Sequence, residues 1–113
     1  MDLGLKALKQ EIELLKSLPE GRRVFLKTGR LCVEVDKEKA LELLEKKLKE
    51  VERLLRDTLE KINAAFRALA EQDEARFRAL AAEIGLAVGL IPQSRQDLEA
   101  LERAIKAELE LTA

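Results

Sequence analysis

The sequence predicts a mainly α-helical protein, in which coiled-coil helices carry one inserted β-hairpin and an extra helix follows at the C-terminal end. Three observations predict this. The composition is 47% apolar and 38% charged but 3% aromatic, with two Pro and five Gly, as in long helices and coiled coils. Apolar residues recur at alternating steps of three and four from Leu41 to Leu69, which is a heptad seam. Between residues 22 and 35 the period changes to two around Thr28-Gly29, as in a hairpin. At 113 residues the length suits a single domain over 1–113, and no repeat or linker divides it.

The first helix is expected over 3–17, where Leu5, Leu8, Ile12 and Leu15 form one stripe and Asp2 sits at the cap position. Leu18-Pro19-Glu20-Gly21 ends it, because Pro disfavours helix at the residue before it. The hairpin is expected over 22–35. Val24, Leu26, Leu31, Val33 and Val35 alternate with Arg23, Phe25, Lys27, Cys32 and Glu34, giving one aliphatic face. A Thr28-Gly29 loop would set Leu26 against Leu31, Val24 against Val33, Phe25 against Cys32 and Arg23 against Glu34. A three-residue loop would shift that register.

Asp36 follows the second strand and can cap a long helix over 37–84, with Gln72–Asp73 as the place for a break. Its seam has one stutter, near Leu55–Leu59. Gly85, Gly89 and Pro92 end it, and Ser94 with Asp97 resembles a capping box opening a last helix over 95–111. The first and last helices are too short to cover the seam, so Leu55 and Leu59 are expected to stay poorly covered. Leaving a Leu exposed forgoes roughly 1.5–3 kcal/mol, and a lone two-stranded hairpin is marginal in water. Self-assembly is therefore expected, with Val24, Leu26, Leu31, Val33, Val35, Leu55 and Leu59 as its contacts.

The sequence Val24-Phe-Leu-Lys-Thr-Gly-Arg-Leu-Cys-Val-Glu-Val-Asp-Lys37, followed by Ala40-Leu-Glu-Leu-Leu44 and a heptad helix, resembles a prefoldin subunit of the single-hairpin, beta type. The resemblance covers roughly residues 14–62. It implies hairpins of several subunits joined in a β-barrel-like platform, with coiled coils projecting from it. It also implies ATP-independent holding of unfolded protein at the coil tips and hand-over to a chaperonin. The chain departs from that pattern in its shorter first helix and in its Gly/Pro turn and extra helix beyond Glu71.

Composition weighs against catalysis. There is no His or Tyr, and Ser occurs only at Ser17 and Ser94, so the usual general bases and nucleophile pairs are missing. The expectation is a non-enzyme without cofactor or metal: Cys32 stands alone, and no Glu-x-x-His motif is present. Gly21 to Thr28 lacks the Gly directly before Lys that a phosphate loop needs. Arg22, Arg23, Lys27 and Arg30 form a local positive excess that would serve nucleic acid or simply protect strand edges.

Gly85 and Gly89, with Leu86, Val88, Leu90 and Ile91, offer either a partner surface or the packed inside of a helix–helix turn. The expected partners are further copies or a related subunit, and unfolded protein clients. The alternatives are a small nucleic-acid-associated protein and a purely structural coiled-coil subunit. The longest uncharged run, Ile84 to Ser94, falls short of the roughly 20 residues that span a bilayer. With Asp2 and mixed charges early in the chain, a cytoplasmic location is expected.

Overall fold

The stripe Leu5, Leu8, Ile12 and Leu15 does form one buried helix face, on α1 (Leu5–Ser17). A computed structural model describes residues 4–110; the expected Asp2 cap, the start at residue 3 and the last helix's end at 111 lie outside them. Leu18, before Pro19, turns extended at ψ 138 and ends α1. The hairpin follows as β1 (Val24–Thr28) and β2 (Leu31–Val35), antiparallel. Three further helices complete the described residues: α2 (Lys37–Ala70), α3 (Glu74–Val88) and α4 (Arg95–Glu110).

The long helix breaks at the alternative site, after Ala70. Gln72 adopts φ 59, the one positive φ outside glycine among the described residues. The Gln72 N–H donates to the Leu69 carbonyl (3.1 Å) and the Asp73 N–H to the Ala68 carbonyl (2.8 Å). This is a Schellman closure with Gln where Gly is usual. Asp73 then caps α3, its Oδ1 accepting from the Arg76 N–H at 3.1 Å. Two stability predictions arise here, both read by chemical denaturation. Gln72→Gly is expected to raise stability by about 1 kcal/mol by relieving the left-handed backbone. Asp73→Ala is expected to lower it by about 1 kcal/mol.

The second reversal is built similarly. Gly89 closes α3 at φ 76, its N–H donating to the Gly85 carbonyl. The Ser94 hydroxyl accepts from the Asp97 N–H (3.3 Å), and the Asp97 carboxylate accepts from the Gln93 N–H (2.8 Å). The capping box expected at Ser94 and Asp97 is thus present, reaching one residue further back than usual. Asp36 occupies the α2 cap position but makes no side-chain capping bond. Its charge can still favour the positive end of the helix.

At 34 residues, α2 is about 51 Å long and forms the spine. α1 lies against its first half, α3 folds back along its second half, and α4 packs on it while touching α1. The result measures 60 × 29 × 18 Å with a radius of gyration of 17.9 Å, against about 13 Å for a compact chain of near this length. Leu5, Leu55, Ile62, Phe77, Ile84, Leu98, Leu101 and Ile105 share one core. The fully buried Ala65 and Ala68 let neighbouring helices approach α2. The buried Thr58 hydroxyl donates to the Leu54 carbonyl at 2.8 Å, so it brings no unpaired polar group into the core.

This core corrects one expectation. Leu55 is 2% exposed within the single chain, and Leu59 is partly buried against the same cluster. The reason is that α4 and the start of α1 extend over the middle of the seam, which helix length alone did not reveal. Neither residue is left open for a partner in the way the sequence predicts.

Candidate functional site

The hairpin sits between the end of α1 and the start of α2, so it projects from one end of the spine. Its base is fixed by Lys37. The ammonium donates to the carbonyls of Leu18 (2.9 Å) and Lys16 (3.3 Å), placing a cation at the C-terminal end of α1. Through this contact the first residue of α2 holds the end of α1 across the hairpin.

The strand register differs from the expected one by two residues. The pairs are Val24 with Val35, Phe25 with Glu34, Leu26 with Val33, Lys27 with Cys32 and Thr28 with Leu31, so the loop is Gly29-Arg30. Gly29 has φ 58 and Arg30 does not have positive φ, as in a turn with Gly at its first central position. The position of the glycine decides the outcome, since only it takes the left-handed backbone without cost. Because the slip is two residues, the faces survive: Val24, Leu26, Leu31, Val33 and Val35 still share one side. Arg23 reaches Glu34 diagonally at 3.8 Å. Both ends of that ion pair are well exposed, so it adds little to stability.

The two strands are not equally covered. α2 packs against β1, leaving Val24 and Leu26 half-buried. On β2, Leu31 is 68% and Val33 50% exposed, and Phe25 on the opposite face is 56% exposed. Val35 is half-buried and Cys32 exposed. Leu31 and Val33 thus lie side by side as an exposed aliphatic pair on one face of β2.

The basic residues Arg22, Arg23, Lys27 and Arg30 are all exposed. They do not form a uniform cationic surface. Arg23 pairs with Glu34, and the hollow at the hairpin base mixes Arg22, Arg23, Lys37 and Lys39 with Glu34 and Asp36. Among the described residues no three His, Cys, Asp or Glu stand close enough together to hold a metal ion. Among the described residues no helix is long and apolar enough to cross a membrane.

A second apolar surface lies at the α3–α4 reversal. Leu86 is 90%, Leu90 48% and Ile91 55% exposed, whereas Val88 is half-buried and packs on the core. Gly85 serves the turn itself: a Cβ there would stand 2.5 Å from Ile91 Cγ1, so the returning segment lies directly on the helix. Gly85 and Val88 are thus turned to packing, as in the helix–helix-turn reading, while Leu86, Leu90 and Ile91 are open. Alongside, Leu69, Phe77, Ala81, Ile91 and Pro92 line a groove with Glu74 and Arg78.

Sequence reasoning missed Lys37 as the residue that fixes the hairpin base. The signal was its place directly after the strand and Asp36, where it faces the end of the preceding helix. No family model matches this chain, and no solved structure matches it. An uncharacterised protein of Methanocaldococcus jannaschii is 46% identical over 44 residues, 39% of this chain and 62% of that protein. The chain therefore spans less than two thirds of that relative's length.

Proposed function

We propose that this chain is a subunit of a cytoplasmic, ATP-independent, protein-holding oligomer of the prefoldin kind, assembled through its β-hairpin. The observation that carries this reading is the exposure of Leu31, Val33 and Phe25 on two strands that lack further strand neighbours among the described residues. Open strand edges invite pairing, and natural proteins cover or block them. Here the edge is short but carries aliphatic side chains and a single charge, Glu34.

The client-binding surface in this reading is not a coil tip. α1 has 13 residues against 34 in α2, so a long two-helix arm cannot form, and α3 and α4 close the rest of the spine. The open apolar surface away from the hairpin is Leu86, Leu90 and Ile91. The test is light scattering from a chemically unfolded substrate protein diluted into buffer without nucleotide. Suppression of its aggregation by this chain is the expected result, and no suppression at a molar excess contradicts the reading. Leu86→Asp with Ile91→Asp is expected to abolish suppression while leaving the oligomer's mass unchanged, since both side chains are more than half exposed.

A further inference from the structure

We propose that the free edge of β2 is completed by β2 of a second copy, antiparallel and centred on Val33 about a two-fold axis. This rests on the hairpin-assembly reading above and specifies its contact. The backbone dictates the register. The two-residue loop closes on the Thr28–Leu31 pair, which is the hydrogen-bonded pair of a tight hairpin. Bonded and non-bonded pairs then alternate. Leu31, Val33 and Val35 direct their N–H and C=O groups to β1, while Cys32 and Glu34 direct theirs outward.

An antiparallel partner centred on Val33 meets this pattern in full. Cys32 of each copy exchanges both backbone hydrogen bonds with Glu34 of the other, and all five residues of β2 are paired. Val33 faces its own equivalent and Leu31 faces Val35. The most exposed aliphatics of the hairpin thus enter the interior of a continuous face running from β1 to β1. The side-chain charges agree. Centring on Glu34 would set two carboxylates opposite each other, as would parallel pairing in register, and like charges there are destabilising. Centring on Cys32 would carry the ladder into Arg30, in the turn. Centring on Val33 places Glu34 opposite the small, uncharged Cys32, whose neighbour on β1 is Lys27.

β1 is the less suitable edge because α2 packs against it. The four-stranded sheet also removes the weakness of an isolated two-stranded ribbon, since three or more strands are needed for independent stability. The contact is isologous, so it closes as a pair and leaves the apolar surface at Leu86 free on each copy.

The test is oxidative cross-linking of the full chain, comparing Val33→Cys and Phe25→Cys, each in a Cys32→Ser background, with the native chain. Facing Val33 positions are a non-bonded pair with Cα atoms about 4.5 Å apart, within disulfide range. The two β1 strands lie three strand spacings apart, about 14 Å. Val33→Cys is therefore expected to give the covalent dimer and Phe25→Cys none. Cys32→Pro removes an outward N–H while sparing the ladder to β1, and is expected to weaken association at least about tenfold. Faster cross-linking through Phe25→Cys, or through native Cys32 than through Val33→Cys, overturns the proposed pairing while hairpin assembly stands. No cross-linking by Val33→Cys in a chain that still measures as an oligomer overturns it in the same way. A chain that measures as a monomer and cross-links nowhere overturns both.

Discussion

Leu55→Ala is expected to lower the unfolding free energy by about 2–5 kcal/mol and to leave the assembly's mass in folded samples unchanged. The side chain is 2% exposed and belongs to the cluster that unites α2 with Leu5, Leu98, Leu101 and Ile105. Truncation removes its transfer energy and opens a cavity where three helices meet. For a chain near 100 residues the loss corresponds to a fall of roughly 10–20 °C or more in melting temperature. Denaturant titration with circular dichroism reads the first effect and light scattering behind a sizing column the second. The pairing matters because the sequence pattern assigns Leu55 to an intermolecular seam. A seam residue would shift mass and stability together, whereas a core residue shifts stability alone.

The second large effect runs the other way. Val33→Asp is expected to reduce the assembly to a smaller species while the helicity of the folded chain hardly changes. Val33 is 50% exposed in the single chain, so a carboxylate there costs the subunit little. Across the proposed two-fold axis the same substitution sets two carboxylates opposite each other. Each side of the contact also loses an aliphatic group, and like charges directly opposed are destabilising. The measurement is mass by light scattering, with far-ultraviolet circular dichroism as the control for folding. Retention of the native mass by Val33→Asp would mean that the hairpin does not carry assembly.

Legibility of the sequence followed the physics of each element. The α1 stripe and the start of α4 were plain because four regularly spaced aliphatics, and a Ser followed three residues later by an acid, are local signals. The hairpin faces were equally plain, since a period of two survives any slip by two residues. The register itself was hidden in the choice between Thr28-Gly29 and Gly29-Arg30, which differ only in where the glycine stands in the turn. The break after Ala70 was also faint. Gln72 takes a backbone that Gly usually supplies, so no breaker residue announces it.

The burial of α2 was the largest departure. Large side chains define the visible heptad seam, but Thr58, Ala65 and Ala68 are also buried and widen the covered face. Small residues carry almost no signal in a hydrophobic pattern, although they allow close helix packing. A sequence reading therefore underestimates how much of the seam the chain covers for itself. Of the candidate surface, Leu31, Val33, Leu86, Leu90 and Ile91 do lie open. Leu55 and Leu59 do not, because α4 returns along the spine, a tertiary fact that no local pattern encodes.

Light scattering of the unmodified chain across a wide concentration range tests the central claim most directly. One chain has a mass of 12.7 kDa. An even multiple of that mass, held on dilution to micromolar concentration, is the predicted result. A species of 12.7 kDa throughout the range would contradict it, since the hairpin would then persist in solution with its edges and aliphatic face uncovered.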